Sequence, residues 1–411
     1  MLFKHAHLPD RRCLSQCWHL LSLVLFLLLN APQVHSQSGS SDIKQWLLDG
    51  LQREQVKESS VFPAGSFPSW RRYALNNQVE KADVNPFFTG LIDFTLLGIR
   101  EYLSPVQQKQ IAGIRSGCQQ IYPKFANQKG RPTYNFWTTD TPRIFPNGGW
   151  LNWFNRQQAL PDDADDTVIL LLAQQASDST ARQVHQLLRE YANGRRQKVQ
   201  NTYDQFRDLP AYSTWFGIKM PIDFDVCVLS NILYFVQHYQ LPWNDADSAS
   251  LQLIERVIAD DSYLKDPAYV SPHYQRVSVL LYHFARLMQT RSIPALEKYR
   301  AKLVQEASRR LAETDNYLDG VLLHTALLRW GVDYKITRTI GFEEWSKAIK
   351  EGPFPFFVAN MSSMLPGSWK SSIDRIGLGK FFYNCPGYHY ALVLENIVWQ
   401  EIRQQERMGK K

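Results

Sequence analysis

Apolar residues recur along most of the chain with the 3.6-residue period of a helix rather than with the alternation of a strand. Amphipathic, more highly charged segments occupy residues 104–122, 178–206, 245–260 and 293–313. Six other segments are apolar on most of their faces and begin with polar residues: 89–102, 165–176, 225–239, 273–289, 319–330 and 388–403. This pattern predicts a mostly helical protein.

The alternation of the two kinds of segment predicts two concentric layers, because a helix that is apolar all round must be buried. We predict an all-α fold, an (α/α)6 toroid of six inner and about six outer helices. Parallel inner helices would bring their polar first turns to one end, around a single cavity. Two stretches rich in Pro, Gly and aromatic residues, 124–160 and one within 340–386, are expected to be loops.

The first 36 residues have the pattern of a secretory signal peptide. Lys4, Arg11 and Arg12 precede an apolar run at residues 20–29, and small residues lead to a plausible cleavage site after Ser36. An uncleaved N-terminal anchor is the alternative. We predict an exported protein, periplasmic or secreted, with one toroid domain over residues 37–411 and no transmembrane span beyond the leader.

Charge and cysteine content narrow the possible partners. The net charge is +7, but no dense run of Lys and Arg is interleaved with aromatic residues, so a nucleic-acid partner is not expected. The predicted mature chain keeps Cys118, Cys227 and Cys385, an odd number from which no disulfide pair can be chosen. The chain lacks the motifs of phosphate loops, serine esterases and zinc proteases. A small-molecule, lipid or glycan ligand is expected in the central cavity.

The strongest local signal is an acidic cluster at the start of one apolar segment. Asp162, Asp163, Asp165 and Asp166 crowd a single helix turn, followed by residues 168–172, which are all aliphatic. Acidic residues favour a helix N-terminus, but one or two would suffice for capping. Three interpretations follow: a solvated helix end, an active-site acid kept protonated by its neighbours, or a site for a hard cation such as Mg²⁺.

Residues 163–167 (DADDT) resemble the DxDD motif of class II terpene cyclases, including the preceding Pro-Asp and the apolar helix that follows. Those enzymes and the related protein prenyltransferases have α/α-toroid domains. The resemblance implies that Asp165 protonates an alkene while Asp163 and Asp166 position its proton. It further implies that Trp137, Trp150, Trp153, Tyr234 and Tyr388 stabilise carbocations through their ring faces.

A second polar cluster opens the segment at 225–239. Protein prenyltransferases bind zinc through an Asp-x-Cys pair and a distant His, and the resemblance implies the set Asp225, Cys227 and His389 here. The alternative is that these polar residues simply line the cavity, together with Asn231. The cofactor is therefore either a divalent metal, Mg²⁺ or Zn²⁺, or none.

Polar residues that enter other inner segments are further candidates for binding substrate. They are His273, Tyr274 and Asp319. A His and an Asp at such ends are potential acid–base partners, although single buried histidines are more often structural.

Three functions are compatible with these features. The first is a cyclase-like or lyase-like enzyme with Asp165 as the acid. The second is a glycan-active enzyme, in which Asp165 or Asp166 would face Asp225 or Asp319 across a groove. The third is a non-catalytic protein that uses its cavity to bind a ligand or to assist assembly.

Overall fold

The computed structural model describes residues 36–139, 160–333, 346–349 and 354–409. The chain divides into two units, Met1–Lys44 and Gln45–Lys411. In the first unit, the described residues are helical and begin helix α1 (Ser36–Glu54). The predicted signal peptide lies outside the described residues, except for Ser36. No helix in the described ranges is long and apolar enough to cross a membrane.

The second unit is mostly helical, as the periodicity predicted. Short 3-10 turns occupy Arg100–Tyr102, Tyr122–Lys124, Asp204–Phe206 and Met361–Met364. After α1, the α-helices are α2 (Phe87–Ile99), α3 (Pro105–Ile121), α4 (Ala164–Gln174), α5 (Asp178–Glu190), α6 (Val226–His238), α7 (Asp245–Ala259), α8 (Ser262–Lys265), α9 (Pro267–Val270), α10 (Val277–Thr290), α11 (Pro294–Glu297), α12 (Arg300–Glu313), α13 (Tyr317–Arg329), α14 (Gly367–Ile376) and α15 (Pro386–Gly409).

Six of these helices pack against one another in chain order. They are α2, α4, α6, α10, α13 and α15, and α15 in turn packs against α2, so that the contacts form a closed cycle. All six coincide with segments predicted to be apolar inner helices. In α4, for example, every residue from Ala164 to Ala173 is buried. The amphipathic helices α3, α7 and α12 pack against α2, α6 and α13 respectively.

Polar residues begin the inner helices because they cap them. The side chain of Asp163 accepts hydrogen bonds from the first turn of α4, and Asp225 does the same for α6 and Asn316 for α13. Such caps satisfy N–H groups that a helix leaves without internal partners. One predicted start is wrong, since α10 begins at Val277, four residues after His273.

Two small sheets accompany the helices, and neither was predicted. Strands β1 (Trp70–Tyr73), β2 (Asn76–Ala82), β5 (Phe357–Asn360) and β6 (Lys380–Asn384) form an antiparallel sheet in the order β2-β1-β6-β5. Strand β3 (Asp162–Asp163) pairs with β4 (Trp215–Phe216). The predicted loop within 340–386 is therefore wrong in its described part, which contains β5, a 3-10 turn, α14 and β6.

The larger sheet contacts the start of α2 and the residues that precede α10. The backbone N–H of Val358, in β5, donates a 2.9 Å hydrogen bond to the carbonyl of His273. The neighbouring ring of Phe357 lies 4.8 Å from the ring of Phe87, at the start of α2, and 5.8 Å from that of Tyr274. The sheet thus forms one wall of the space above the first helical turns.

Candidate functional site

The polar first turns of three inner helices meet at one end of the cycle. Asp165, in α4, accepts a hydrogen bond from the Tyr274 hydroxyl, which precedes α10, and a 2.6 Å hydrogen bond from the amide of Asn231 in α6. Asp225, the cap of α6, accepts a 2.8 Å hydrogen bond from the backbone N–H of His273. Residues far apart in the sequence thus surround the acidic cluster.

Asp163 is positioned by the backbone around it. Its own N–H donates a 2.8 Å hydrogen bond to the carbonyl of Tyr134, and strand β3 pairs with β4. Its Oδ1 accepts hydrogen bonds from the backbone N–H groups of Asp165 at 2.7 Å and Asp166 at 3.1 Å. Burial, followed by the negative charge of Asp165, raises the pKa of Asp163 to about 7.

Asp162 points away from the other three acids. Its Oδ2 accepts 2.5 Å hydrogen bonds from the side chains of Asn127 and Thr133. Asp162 therefore connects the preceding loop to β3, and it does not line the cavity that the other three acids line.

Asp165 has the surroundings of an ionised carboxylate. Both of its oxygens accept hydrogen bonds, and Asn231, which donates one of them, itself accepts a hydrogen bond from the buried guanidinium of Arg286. Burial and the charge of Asp225 raise the pKa of Asp165 above its usual range, although the hydrogen bonds from Tyr274 and Asn231 and the charge of Arg286 oppose this shift. Donors on both oxygens favour the charged form.

Asp166 has the opposite surroundings. Its side chain is fully buried, and neither of its oxygens has a hydrogen-bond partner among the described residues. Burial and the charges of Asp163 and Asp165 raise the pKa of Asp166 well above its usual range. Because an unpaired buried carboxylate is very unfavourable, we infer that Asp166 keeps its proton at neutral pH.

His273 supplies a buried positive charge to the cluster. Its Nε2 lies 3.0 Å from the Asp223 carboxylate and its Nδ1 lies 3.2 Å from the carbonyl of Val358. Both partners are acceptors, so both ring nitrogens must carry protons. Burial lowers the pKa of His273, but Asp223, Asp225 and Asp163 outweigh that effect and raise it to about 9.

The charges of the cluster explain where its protons reside. Two buried basic side chains, His273 and Arg286, lie near the acids. Five buried carboxyl groups surround them: Asp163, Asp165, Asp166, Asp223 and Asp225. Asp166 is the acid among them that accepts no hydrogen bond from the described residues. Burial and the nearby carboxylates raise the pKa of both Asp163 and Asp166, and their titration belongs to the pair rather than to either residue.

This pair opens onto a small, mostly apolar cavity of about 80 Å³, which has room for several water molecules. His273 and Asp165 reach the same space. Aromatic rings and methionines form most of the remaining wall, which includes Phe87, Phe136, Trp137, Trp215, Met220, Phe357, Met361 and Met364. The cavity thus combines a proton donor with apolar and aromatic surfaces.

Some predicted substrate-binding residues lie at this cavity. Trp137 and His273 line it, while Tyr274 and Asn231 lie behind its wall and hold Asp165. The indole N–H of Trp137 donates a 3.2 Å hydrogen bond to Asp83, which fixes the ring. Trp150 and Trp153 lie outside the described residues.

Other predicted residues do not line the cavity. Asp319 is paired with Arg276, before α10. Tyr234 lies in the last part of α6, where its ring contacts Phe94 at 5.5 Å. Tyr388 is buried between Phe88 and Phe356, with ring centroids 5.9 and 4.8 Å away.

The described residues do not bring together a metal site. Asp225 is fully occupied as a cap that also accepts a 2.6 Å hydrogen bond from Ser271, and Cys227 is buried behind it. His389 lies 2.9 Å from the carbonyl of Ile349 instead. No group of three or more His, Cys, Asp or Glu side chains in the described ranges is arranged to hold a metal ion. Cys118, Cys227 and Cys385 are free and buried.

Several contributing residues were not predicted. Arg286 lies in the apolar segment of α10, and a charge in such a segment is a signal that could have identified it. Asp223 stands two residues before Asp225 in the sequence, but its pairing with His273 depends on the tertiary structure. Phe357 and Met361 come from the segment that was expected to be a loop.

The raised pKa of Asp163 predicts a pH-dependent stability. An unfolded Asp loses its proton near pH 3.8, whereas the folded Asp163 keeps its proton up to about pH 7. The folded state therefore binds more protons between these values, and the free energy of unfolding falls as the pH rises through this window. The expected loss is on the order of 4 kcal/mol, at 1.36 kcal/mol per pKa unit.

The Asp163→Asn variant isolates this contribution, because Asn caps a helix about as well as Asp. Urea unfolding of both proteins at about pH 4 and about pH 7 measures it. The variant should gain stability relative to the wild type as the pH rises. A difference that stays constant across the window would show that the side chain titrates normally.

Comparison of the chain with models of protein families, with curated proteins and with solved structures gives no match. The site has therefore to be interpreted from its own geometry.

Proposed function

We propose that the protein is an exported acid catalyst, in which Asp166 delivers a proton to an apolar substrate inside an (α/α)6 toroid. The observation that carries the proposal is the buried carboxyl of Asp166, which has no partner among the described residues and borders an aromatic cavity. Native proteins rarely leave such a group unsatisfied, and a functional role is a common reason when they do.

The toroid is supported by the closed cycle of contacts among six helices. Their order around the cycle is their order in the chain, and amphipathic helices pack against three of them. This arrangement suits the single domain proposed for residues 37–411. It also supports the resemblance to terpenoid cyclases and protein prenyltransferases, since those families share this architecture.

In the proposed reaction Asp166 protonates a carbon–carbon double bond and leaves a carbocation on the substrate. The negative charge of Asp165, which helps to keep the proton on Asp166 in the resting state, also stabilises this cation once it forms. The ring faces of Trp137, Phe87 and Phe357 add a second source of stabilisation. A neighbouring double bond attacks the cation, and a carbon-bound proton then returns to the acid pair.

Two residues position these groups without touching the substrate. Tyr274 and Asn231 occupy both oxygens of Asp165, and Arg286 holds Asn231 in turn. The negative charge of Asp165 is thereby fixed beside Asp166. In this proposal Asp166 takes the catalytic role that the motif predicted for Asp165.

The geometry favours this function over glycan hydrolysis. An inverting glycosidase needs a second carboxylate across the groove to activate water. The two residues predicted for that role, Asp225 and Asp319, are engaged by a helix cap and by Arg276, and neither lines the cavity. The other charged side chain at the cavity is His273, which is a cation and not a second carboxylate.

The test is product analysis in heavy water. The purified protein is incubated in D₂O with a panel of detergent-solubilised linear isoprenoids, and extracts are analysed by gas chromatography and mass spectrometry. Proton transfer from Asp166 followed by loss of a carbon-bound proton predicts isomers that carry one deuterium.

Oligosaccharides incubated in parallel provide the competing result. The release of reducing sugars, without deuterated hydrocarbon products, would overturn the proposal in favour of glycan hydrolysis. A ligand that binds and is recovered unchanged from every substrate class would favour a non-catalytic binding protein.

A further inference from the structure

A second, larger cavity lies on the outer face of the four-stranded sheet. This surface groove encloses about 780 Å³ between strands β1, β2 and β6 on one side and α14 with the preceding turn on the other. Its floor and walls include Tyr73, Val79, Phe381, Ile373 and Leu378. The volume lies in the range of typical ligand sites, which span about 300–1,000 Å³.

The groove and its rim expose an unusual amount of apolar surface. Val79 is 48% exposed and Leu378 is 51% exposed, and both line the groove. Beside them, Ile376 is 60% exposed and Leu75 is 54% exposed. Contiguous exposed apolar side chains on a protein surface indicate a binding site.

The charged groups of the groove either form an ion pair or are exposed to solvent. Arg71 forms an ion pair with Asp83 at 3.5 Å, and its guanidinium lies 4.8 Å from the centre of the Phe381 ring. Lys81 is exposed to solvent at the edge strand β2. The groove therefore offers no buried charge to be neutralised, and its chemistry suits an uncharged aliphatic chain.

The groove and the acidic cavity share one wall. Met361 and Met364, at the two ends of a single 3-10 turn, line both spaces, and between them Ser362 faces the groove and Ser363 the cavity. The turn is attached to the sheet through the N–H of Met361, which donates a 3.0 Å hydrogen bond to the carbonyl of Gly379. Methionine side chains are unbranched and adapt readily to a ligand.

Gly379 allows the turn to approach the sheet closely. Its φ is +72°, and a Cβ at this position would lie 2.9 Å from the Cβ of Met361. Glycine adopts this backbone conformation without strain, and a side chain here would also collide with Met361. The partition between the two spaces thus consists of flexible side chains on a closely packed turn.

We propose that the groove binds the long apolar chain of the substrate, whose reacting end passes between Met361 and Met364 into the acidic cavity. This inference rests on the proposed function and identifies its substrate as an elongated, lipid-like molecule. A cavity with room for several water molecules accommodates only the reacting end of such a chain. The remainder must lie outside, and the groove is the apolar surface that continues from the shared wall.

The binding test uses diphenylhexatriene, an uncharged, elongated polyene that fluoresces when it enters an apolar site. Titrations compare the wild type with a Val79→Asp/Leu378→Asp double variant, which places charges in the groove. Val106→Asp is the matched control, because Val106 is 73% exposed and lies outside the groove, on α3. The double variant should bind at least about tenfold more weakly, and the control should bind like the wild type.

The same variants separate this inference from the proposed acid chemistry. The Asp166→Asn variant should bind the probe as the wild type does, since the groove is complete without it. Equal probe affinity in the wild type and the double variant would overturn the groove proposal, as would deuterated product formed at an unchanged rate by the double variant. A wild-type dimer that the double variant converts to monomer, without probe binding, would show that the groove is an interface between copies of this chain.

Discussion

The Asp166→Asn variant is expected to lose the proton-transfer reaction almost completely. A positioned general acid contributes about 10²- to 10⁴-fold to a rate, and the amide of Asn has no acidic proton to give. The variant should remain folded, because the Asp166 oxygens make no hydrogen bond within the described residues. Its rate of deuterium incorporation, relative to that of the wild type, measures the effect.

The Asp162→Asn variant is the matched control for this experiment. It removes a carboxylate from the same motif, but one that faces Asn127 and Thr133 rather than the cavity. Its rate should stay within about threefold of the wild type, a difference below 1 kcal/mol. If Asp166→Asn stays active while Asp165→Asn is inactive, the acid is Asp165, as the motif alone predicted.

Removing Glu395 is expected to cause the largest loss of stability. Its carboxylate, in α15, forms an ion pair with Arg329 of α13 and accepts a 2.7 Å hydrogen bond from Tyr282. Both charged side chains are only 5% exposed. The Glu395→Leu variant leaves the guanidinium buried without its counter-ion, which costs about 3–5 kcal/mol.

A double variant distinguishes the loss of a partner from the loss of packing. In Arg329→Met/Glu395→Leu both charges are replaced by apolar side chains of similar size, so most of the lost stability should return. Urea unfolding of the wild type, both single variants and the double variant gives the coupling energy. A single-variant loss below about 1 kcal/mol would indicate that water reaches the pair.

The acidic cluster shows what a local sequence pattern can predict about a candidate site and what it cannot. Four acids within five residues located the cluster, because that charge density exceeds what capping needs. The roles of its members were not visible in the sequence. Asp165 is anchored by Asn231 and Tyr274, which are 66 and 109 residues away in the chain. Only that anchoring leaves Asp166 as the acid without a partner.

The predicted metal ligands do not come together in the described residues, for a related reason. Asp225, Cys227 and His389 have the right chemistry, but ligand sets are defined by distance and direction. Asp225 instead caps α6 and receives hydrogen bonds from Ser271 and from the backbone of His273. A helix cap and a metal ligand look alike in a sequence, and tertiary contacts decide between them.

The sequence by itself determined the six apolar helices, the amphipathic helices between them and the position of the acidic cluster. These features follow from the period of apolar side chains and from charge density, which are properties of neighbouring residues. Only the tertiary structure determined the pairing of the four-stranded sheet and the groove behind Met361. It likewise determined the hydrogen bonds that hold Asp165 and the lack of such bonds to Asp166 among the described residues. A strand of four to seven residues can pair with a strand far away in the sequence, as β1 does with β6. The protonation state of a side chain depends on every group that packs around it. Such features depend on pairings between distant parts of the chain, which the local pattern of a single sequence does not encode.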